Sequence, residues 1–445
     1  MTTLLFDRRS TTLPRSYTEE MHTQDQARNA VFWWFLFGIV VVNLALHSGF
    51  GALQLPLDPL RWTFLFGAAI IGGGTFLFSS KRLVAIEGAF WSVGFFLVLS
   101  GVTTTISTLP LLSALKWLAL ALQVATLGYV GAHLLSIPEW ESLFVYVFAC
   151  TSLIVVLAVV VYLIGYNPFW GHPLWDQGRL AALTNPNAVA GVAALNSVMA
   201  LWMRDRYPKG RKRTVVYVLL GISLFVLYMT GSRTSGISFL AGMLFWAWTT
   251  ENMKYFYVLF ITGLVILVAR EGIFYEITEP FRLQSPIASR DDVWQASYGG
   301  WLEKPWLGYG YGITGQEYTV QSLASAVGSV RDAAGYLGLL ESVGLIGAGA
   351  LCTVYGAMLS YLWKFARLWR RGANSNKLWV TLLAGTLFTT LIVHAGGEAW
   401  IIAPGGFPHI LLWLSVGAIL AGRSAFYKDR TKQKAVVGNR TGPSV

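Results

Sequence analysis

The chain has 445 residues, 55% of them hydrophobic and only 12% charged, with a formal net charge of +11. A soluble domain carries roughly 25% charged residues, so half that level, spread between long apolar runs, excludes an ordinary water-soluble enzyme. The basic excess lies in short loops and both tails, as orientation signals do, and no nucleic-acid partner is expected.

Residues 1–30 form a mostly polar tail. No small-residue cleavage site follows a short hydrophobic core, so the first apolar run is read as an anchored helix rather than a cleavable signal. Crossing a bilayer takes about 20 apolar residues. About twelve such runs follow, at 31–47, 61–79, 84–106, 114–135, 143–166, 188–203, 214–230, 237–249, 255–270, 336–363, 378–393 and 408–422. The expected fold is an all-α polytopic membrane protein. Nine transmembrane helices occupy 31–270, a large loop with short amphipathic helices occupies 271–335, three more helices occupy 336–422, and 423–445 is a tail. The 19 tryptophans suit that environment, because indole rings collect at membrane interfaces. Cys150 and Cys352 both fall inside apolar spans, without the spacing of a disulfide framework or a metal site.

Orientation follows from the loops. Arg8, Arg9, Arg15 and Arg28 precede the first span, and "SSKR" (79–82), "RDRYPKGRKR" (204–213), "KFARLWRRGANSNK" (364–377) and the tail from Arg423 come later. With about twelve spans these segments share one side, which the positive-inside rule makes cytoplasmic, with both termini. The loop 271–335 then faces outward, as does "NPFWGHPLWDQGRLAALTNPN" (167–187). Loops this long inside a compact protein are usually functional.

Three outward arginines stand in turn-rich segments: Arg179 in "GRLAALTNPN", Arg233 in "GSRTSG" and Arg290 in "SRDDVWQASYGGWLEKPWLGYGYG". Any one of them can snorkel to a headgroup or pair with a loop carboxylate. Together they favour an anionic ligand, because the planar guanidinium grips phosphate oxygens in pairs. Asn185 and Asn187 are suited to capping the next span. Residues 289–302 read as a short amphipathic helix with Ser289 as cap and Trp294, Ser297, Tyr298 and Trp301 at helical spacing. Its rings, with Trp306, Tyr309 and Tyr311, either sit among headgroups or offer flat faces to sugars. "KPWLGYGYG" (304–312) is a breaker-rich turn whose glycines permit positive φ. It is not a nucleotide fingerprint, since no strand–turn–helix unit surrounds it. His172, His394 and His409 are outer histidines, and Glu398 lies near His394.

The order of these motifs resembles the O-antigen ligase and polymerase family of bacterial envelope membrane proteins. It comprises a basic residue before "NPN", the "GSR" turn, an Arg-to-Trp helix followed by "KPWLGYG", then "GYLGLLESVGLIG". The resemblance covers about 165–350. It implies a polysaccharide polymerase, for exopolysaccharide or O-antigen, that takes its glycan from a polyprenyl diphosphate at the periplasmic face of the inner membrane. An O-antigen ligase acting on a lipid core is the alternative. No cofactor or metal is implied. The expected partners are the lipid-linked oligosaccharide, a glycan acceptor, the bilayer and a chain-length regulator. By the same resemblance Arg233 and Arg290 hold the diphosphate and stabilise the leaving group. Arg179, Arg331, Trp294, Trp301 and Tyr336 are expected to contact substrate.

One departure stands out. The resemblance places a histidine two or three residues before Tyr-Leu, where this chain has Ala333, flanked by Arg331 and Asp332. The family's glutamate is also out of register, with Glu341 one place early and Ser342 in its position. Three explanations stay open: the base has been replaced, Asp332 acts as the base, or His394 or His172 reaches in from another loop. A transporter or flippase of envelope glycolipids is the rival from another class. Against it, Glu87, Lys116 and His133 read as lying toward span ends rather than at mid-membrane.

Overall fold

A computed structural model describes residues 15–49, 56–78, 89–165, 174–176, 179–268, 291–315, 335–373 and 375–440. The helices are α1 (Arg15–His47), α2 (Leu57–Phe78), α3 (Ala89–Thr105), α4 (Pro110–Leu134), α5 (Ile137–Ile164), α6 (Pro186–Arg206) and α7 (Arg211–Thr230). Then follow α8 (Arg233–Thr249), α9 (Met253–Val268), α10 (Asp291–Glu303), α11 (Gly335–Arg370), α12 (Asn376–His394) and α13 (Phe407–Arg440). A two-residue hairpin pairs β1 (Trp175–Asp176) with β2 (Arg179–Leu180). Among the described residues eight helices are long and apolar enough to cross a membrane, namely α1, α4 to α7 and α11 to α13. The protein is therefore an all-α, multi-pass membrane protein.

Local sequence sets the helix ends. Ser136 and Glu139 form a reciprocal capping box at the start of α5, satisfying N–H groups that have no partner within the helix. Asn185 caps α6 by accepting from Asn187 N at 2.8 Å. Gly165 and Gly231 end α5 and α7 in the left-handed conformation.

Polar side chains join the central helices. Asn196 of α6 is fully buried. Its Oδ1 accepts from Thr151 (2.8 Å) and Ser152 (3.0 Å) of α5, while its Nδ2 donates to Ser223 of α7 at 2.8 Å. Trp202 Nε1 donates to Thr386 Oγ1 at 2.7 Å, tying α6 to α12. Gly242 of α8 leaves no room for a Cβ beside Thr390 of α12. Small residues and interhelical hydrogen bonds are how helices associate where lipid and side chain are equally apolar.

The 336–363 run is not one continuous helix. Gly344 has φ 65° and ψ −175°, which interrupts α11, and a Cβ there would collide with the backbone of Trp306. The segment 304–315 inserts at this break. Tyr309 N donates to Glu341 O (3.0 Å) and Gly310 N to Ser342 O (2.9 Å), while Leu345 N and Ile346 N donate to Pro305 O (2.8 Å) and Trp306 O (3.3 Å). The inserted loop thus supplies the hydrogen bonds that the broken helix lacks. Gly308, Gly310 and Gly312 all have positive φ, as the glycine spacing anticipates.

Burial corrects one expectation. Of the three rings of this loop, Tyr311 is fully buried and Tyr309 nearly so, and only Trp306 stays exposed, so the two tyrosines present no open ring faces to a sugar. Lys116 lies toward the start of its span, as expected, and its side chain is fully buried there, donating from Nζ to Gly312 O at 2.8 Å. Ser113 Oγ donates to Tyr311 O at 3.1 Å, and the Glu341 carboxylate accepts from Gly315 N at 2.7 Å. A second segment, 400–405, is buried in the same manner. Arg61 Nη1 donates to Gly405 O at 3.2 Å, Gln123 donates to Pro404 O, and His409 Nδ1 donates to Gln123 Oε1 at 2.6 Å.

Two substitutions test this framework. Gly344→Ala forces a side chain into a region essentially restricted to glycine, at a cost of roughly 1–3 kcal/mol before the collision with Trp306. Lys116→Met leaves the Gly312 carbonyl unmet at a cost of about 1–3 kcal/mol. Both variants should melt below the wild type in detergent, with Gly344→Ala the more damaged; unchanged melting of either removes its place in the argument.

Candidate functional site

The "GSR" turn is a tight joint between two helices. Gly231 has φ 57° and closes α7, Ser232 caps α8, and Arg233 is the first residue of α8. The turn therefore sets a guanidinium on the positive end of a 17-residue helix, where N–H groups and the macrodipole both favour an anion.

A buried polar chain fixes that helix start. Ser235 Oγ lies 3.2 Å from His394 Nε2, and Ser232 Oγ donates to Ser235 Oγ at 3.1 Å. On the other side of the ring, Trp400 Nε1 donates to His394 Nδ1 at 2.9 Å. Indole is a donor only, so Nδ1 must be the unprotonated nitrogen and Nε2 carries the proton toward Ser235. A neutral His394 in this arrangement has committed its one lone pair to Trp400. Its position suits a brace for the Arg233 turn better than a general base. Gly191 of α6 faces the imidazole edge and leaves it room.

Arg179 braces the same turn from below. Its Nε donates to Thr230 O at 2.7 Å and its Nη2 to Asn187 Oδ1 at 2.5 Å. Thr230 O is one of the carbonyls left over at the end of α7, so Arg179 joins that end to the start of α6. The hairpin of β1 and β2 presents it there.

The start of α11 closes on the site. A Cβ at Gly335 would strike the carbonyls of Ala395 and Gly396, and one at Gly397 would strike Thr234. Tyr336 OH donates to Ile392 O at 2.5 Å. The first turns of α8 and α11 therefore meet across the 395–397 turn, a convergence that spacing alone does not show.

On the flank, α10 packs against α11 where Gly300 faces the Glu341 carboxylate. Trp294 and Trp301 are half-buried on α10, and Trp301 Nε1 donates to Pro305 O at 3.2 Å. Tyr298 is exposed and lies 5.6 Å from Trp301, ring centre to ring centre. Tyr309 OH donates to Glu303 Oε2. That bond, ahead of burial, pushes the phenol up to about 12, so the hydroxyl stays a donor across physiological pH. Among the described residues no group of three or more His, Cys, Asp or Glu side chains is placed to hold a metal ion.

Of the residues singled out in the sequence, Arg179 joins the Arg233 turn at Thr230, Tyr336 reaches Ile392 just before the 395–397 turn, and Trp301 bonds to the inserted loop from α10, which also carries Trp294. Arg290, Arg331, Asp332, Ala333 and His172 lie outside the described residues. The Ser235–His394–Trp400 chain and Lys116 were not expected. The signal for the former was a histidine and a tryptophan six residues apart around a Gly-Gly pair, which is too common to select.

With this geometry in place, comparison with protein families becomes informative. Residues 217–352 match the model of the O-antigen ligase family. The matched stretch begins within α7, contains the Arg233 turn, α8, α9, α10 and the inserted loop, and ends beyond the break in α11. Over that stretch, less than a third of its length, the chain is similar to the O-antigen ligase family. No curated protein matches the chain.

The tautomer assignment has a direct readout. In Trp400→Phe the His394 ring loses the donor that keeps Nδ1 unprotonated. Nitrogen-15 spectra of histidine-labelled protein should show a pure Nε2–H ring in the wild type and a tautomer mixture in the variant. A wild-type ring already protonated on Nδ1 would overturn the brace.

Proposed function

We propose that this protein is a glycosyltransferase that moves a glycan from a polyprenyl diphosphate to a sugar acceptor at the periplasmic face of the bacterial inner membrane. The finer topology is part of the proposal: about twelve spans, both termini cytoplasmic, and 271–335 as a periplasmic loop. The observation that carries the reading is the coincidence of two things. The O-antigen ligase family match spans 217–352, and within it Arg233 heads α8 at a buried, braced joint beside the start of α11.

In the proposed reaction the diphosphate docks against Arg233 and Arg290, with Arg179 and Arg331 nearby and the polyprenyl tail in lipid. The aromatic residues of α10 and Tyr336 border the sugars. A base takes the proton of the acceptor hydroxyl, the oxygen attacks the anomeric carbon, and the bond from that carbon to the diphosphate breaks. The lipid diphosphate leaves with the electron pair, its charge met by the guanidinium groups. Asp332 is the proposed base, next to Ala333 where the resemblance places a histidine. A carboxylate serves if burial brings its pKa toward neutrality. The family match is described as a ligase, so transfer to a lipid core is the second reading, and product analysis separates the two. A ladder of repeat units marks a polymerase; a single capped lipid core marks a ligase.

Arg233→Ala should lower the transfer rate by about 10²–10³, the scale of losing one donor aimed at developing charge, at unchanged abundance in the membrane. Normal product in that variant rejects the assignment. Asp332→Asn should fall as far, whereas a large gain in Ala333→His with Asp332→Asn still active would make the alanine, not the aspartate, the explanation.

A further inference from the structure

The structure holds a second place suited to phosphate, at the opposite end of the molecule. A cavity of about 240 Å³ lies between the C-terminal part of α11 and α13. Lys364, Arg367, Arg371 and Arg423 line it, together with an apolar floor that includes Phe365, Leu368 and Phe426. Arg423 Nη1 donates to Tyr361 OH at 2.6 Å and its guanidinium lies 4.2 Å from the centre of that ring, so this cation is held in place. Among the described residues no carboxylate lines the cavity. The neighbouring Arg370 has its own acidic partner, Glu251, at 3.1 Å, on the outer side of the helix end.

Lys364, Arg367 and Arg371 bring like charges around a small space, and an anion relieves their repulsion. The volume falls below the roughly 300–1,000 Å³ of sites for larger ligands, which suits a headgroup rather than a nucleotide or a folded glycan. Depth supports the same class. Beyond the break at Gly344, α11 runs unbroken from Leu345 to Lys364, roughly 30 Å at about 1.5 Å per residue. The hydrocarbon core of a bilayer is about 30 Å thick, so this run is long enough to bring the cavity to headgroup level on the far side. The combination of a cationic rim and an apolar floor matches a molecule with a phosphate at one end and acyl chains at the other, and basic pockets between transmembrane helices hold such lipids.

We propose that this cavity binds the phosphodiester headgroup of an anionic phospholipid and thereby ties the end of α11 to α13. The lipid is distinct from the glycan donor, because it enters from the opposite face, and its binding stands whether or not Arg233 serves transfer. Lys364, Arg367 and Arg371 are exposed, so neutralising them leaves the fold intact.

Native mass spectrometry of protein released in a neutral detergent tests the assignment with phosphatidylglycerol, phosphatidylcholine and inorganic phosphate as probes. The wild type should retain phosphatidylglycerol at least tenfold better than R367Q/R371Q, and R211Q/K212Q, an equal loss of charge on the exposed start of α7, should behave as wild type. Phosphatidylglycerol should also raise the melting temperature of the wild type and not that of R367Q/R371Q. Equal retention by both variants, or phosphatidylcholine held as well as phosphatidylglycerol, would overturn the proposal. So would displacement of the lipid by millimolar inorganic phosphate, since that marks a simple anion site.

Discussion

The pairing of backbone groups in a non-helical segment buried among membrane helices governs the rest of this structure. Within lipid no water meets an exposed N–H or C=O, so irregular backbone survives only where protein satisfies it. The segment 304–315 meets that condition by entering the gap that Gly344 opens in α11. Carbonyls freed at Glu341 and Ser342 accept from the loop, and amides freed at Leu345 and Ile346 donate to it. Side chains meet further backbone groups of the loop: Lys116 and Ser113 take carbonyls, and Glu341 takes an amide. Loop and helix break are therefore one element, and neither is stable without the other.

The same solution recurs at 400–405, where Arg61 and Gln123 take the carbonyls of Gly405 and Pro404. This second segment carries Trp400, and through it the orientation of His394. Rigidity thus passes from buried loop to imidazole, from imidazole to Ser235, and from there to the helix start that bears Arg233. Charged groups aimed at a reacting diphosphate stabilise it most when they need not reorganise. For the proposed role of Arg233, the braces around its turn supply that condition from ordinary packing, with Arg179 bound at the end of α7.

Much of this was legible in the sequence, for reasons that differ by residue. Each apolar run marks a helix because hydropathy in lipid leaves little alternative to one. Asn185 caps α6, and the glycines at 308, 310 and 312 adopt positive φ, because both are local properties of residue type. The break at Gly344 was not legible. "ESVGLIGAG" holds several glycines in an apolar run, and only a distant segment determines which of them opens. Lys116 stands toward the start of its span, as read, but its partner was not legible, because the Gly312 carbonyl that meets it lies far along the chain. Tyr309 and Tyr311 read as open aromatic faces because they lie in a glycine-rich loop, and insertion of that loop buries them.

The buried ionisable groups also bear on the choice between transport and transfer. A proton or ion relay needs groups whose partners exchange during the cycle. Lys116 and Glu341 are bound instead to the backbone of a loop that is itself wedged into a helix, so moving either would strip a hydrogen bond from that loop. Groups held this way favour the proposed transfer reaction over alternating access, which rocks one half of a protein against the other.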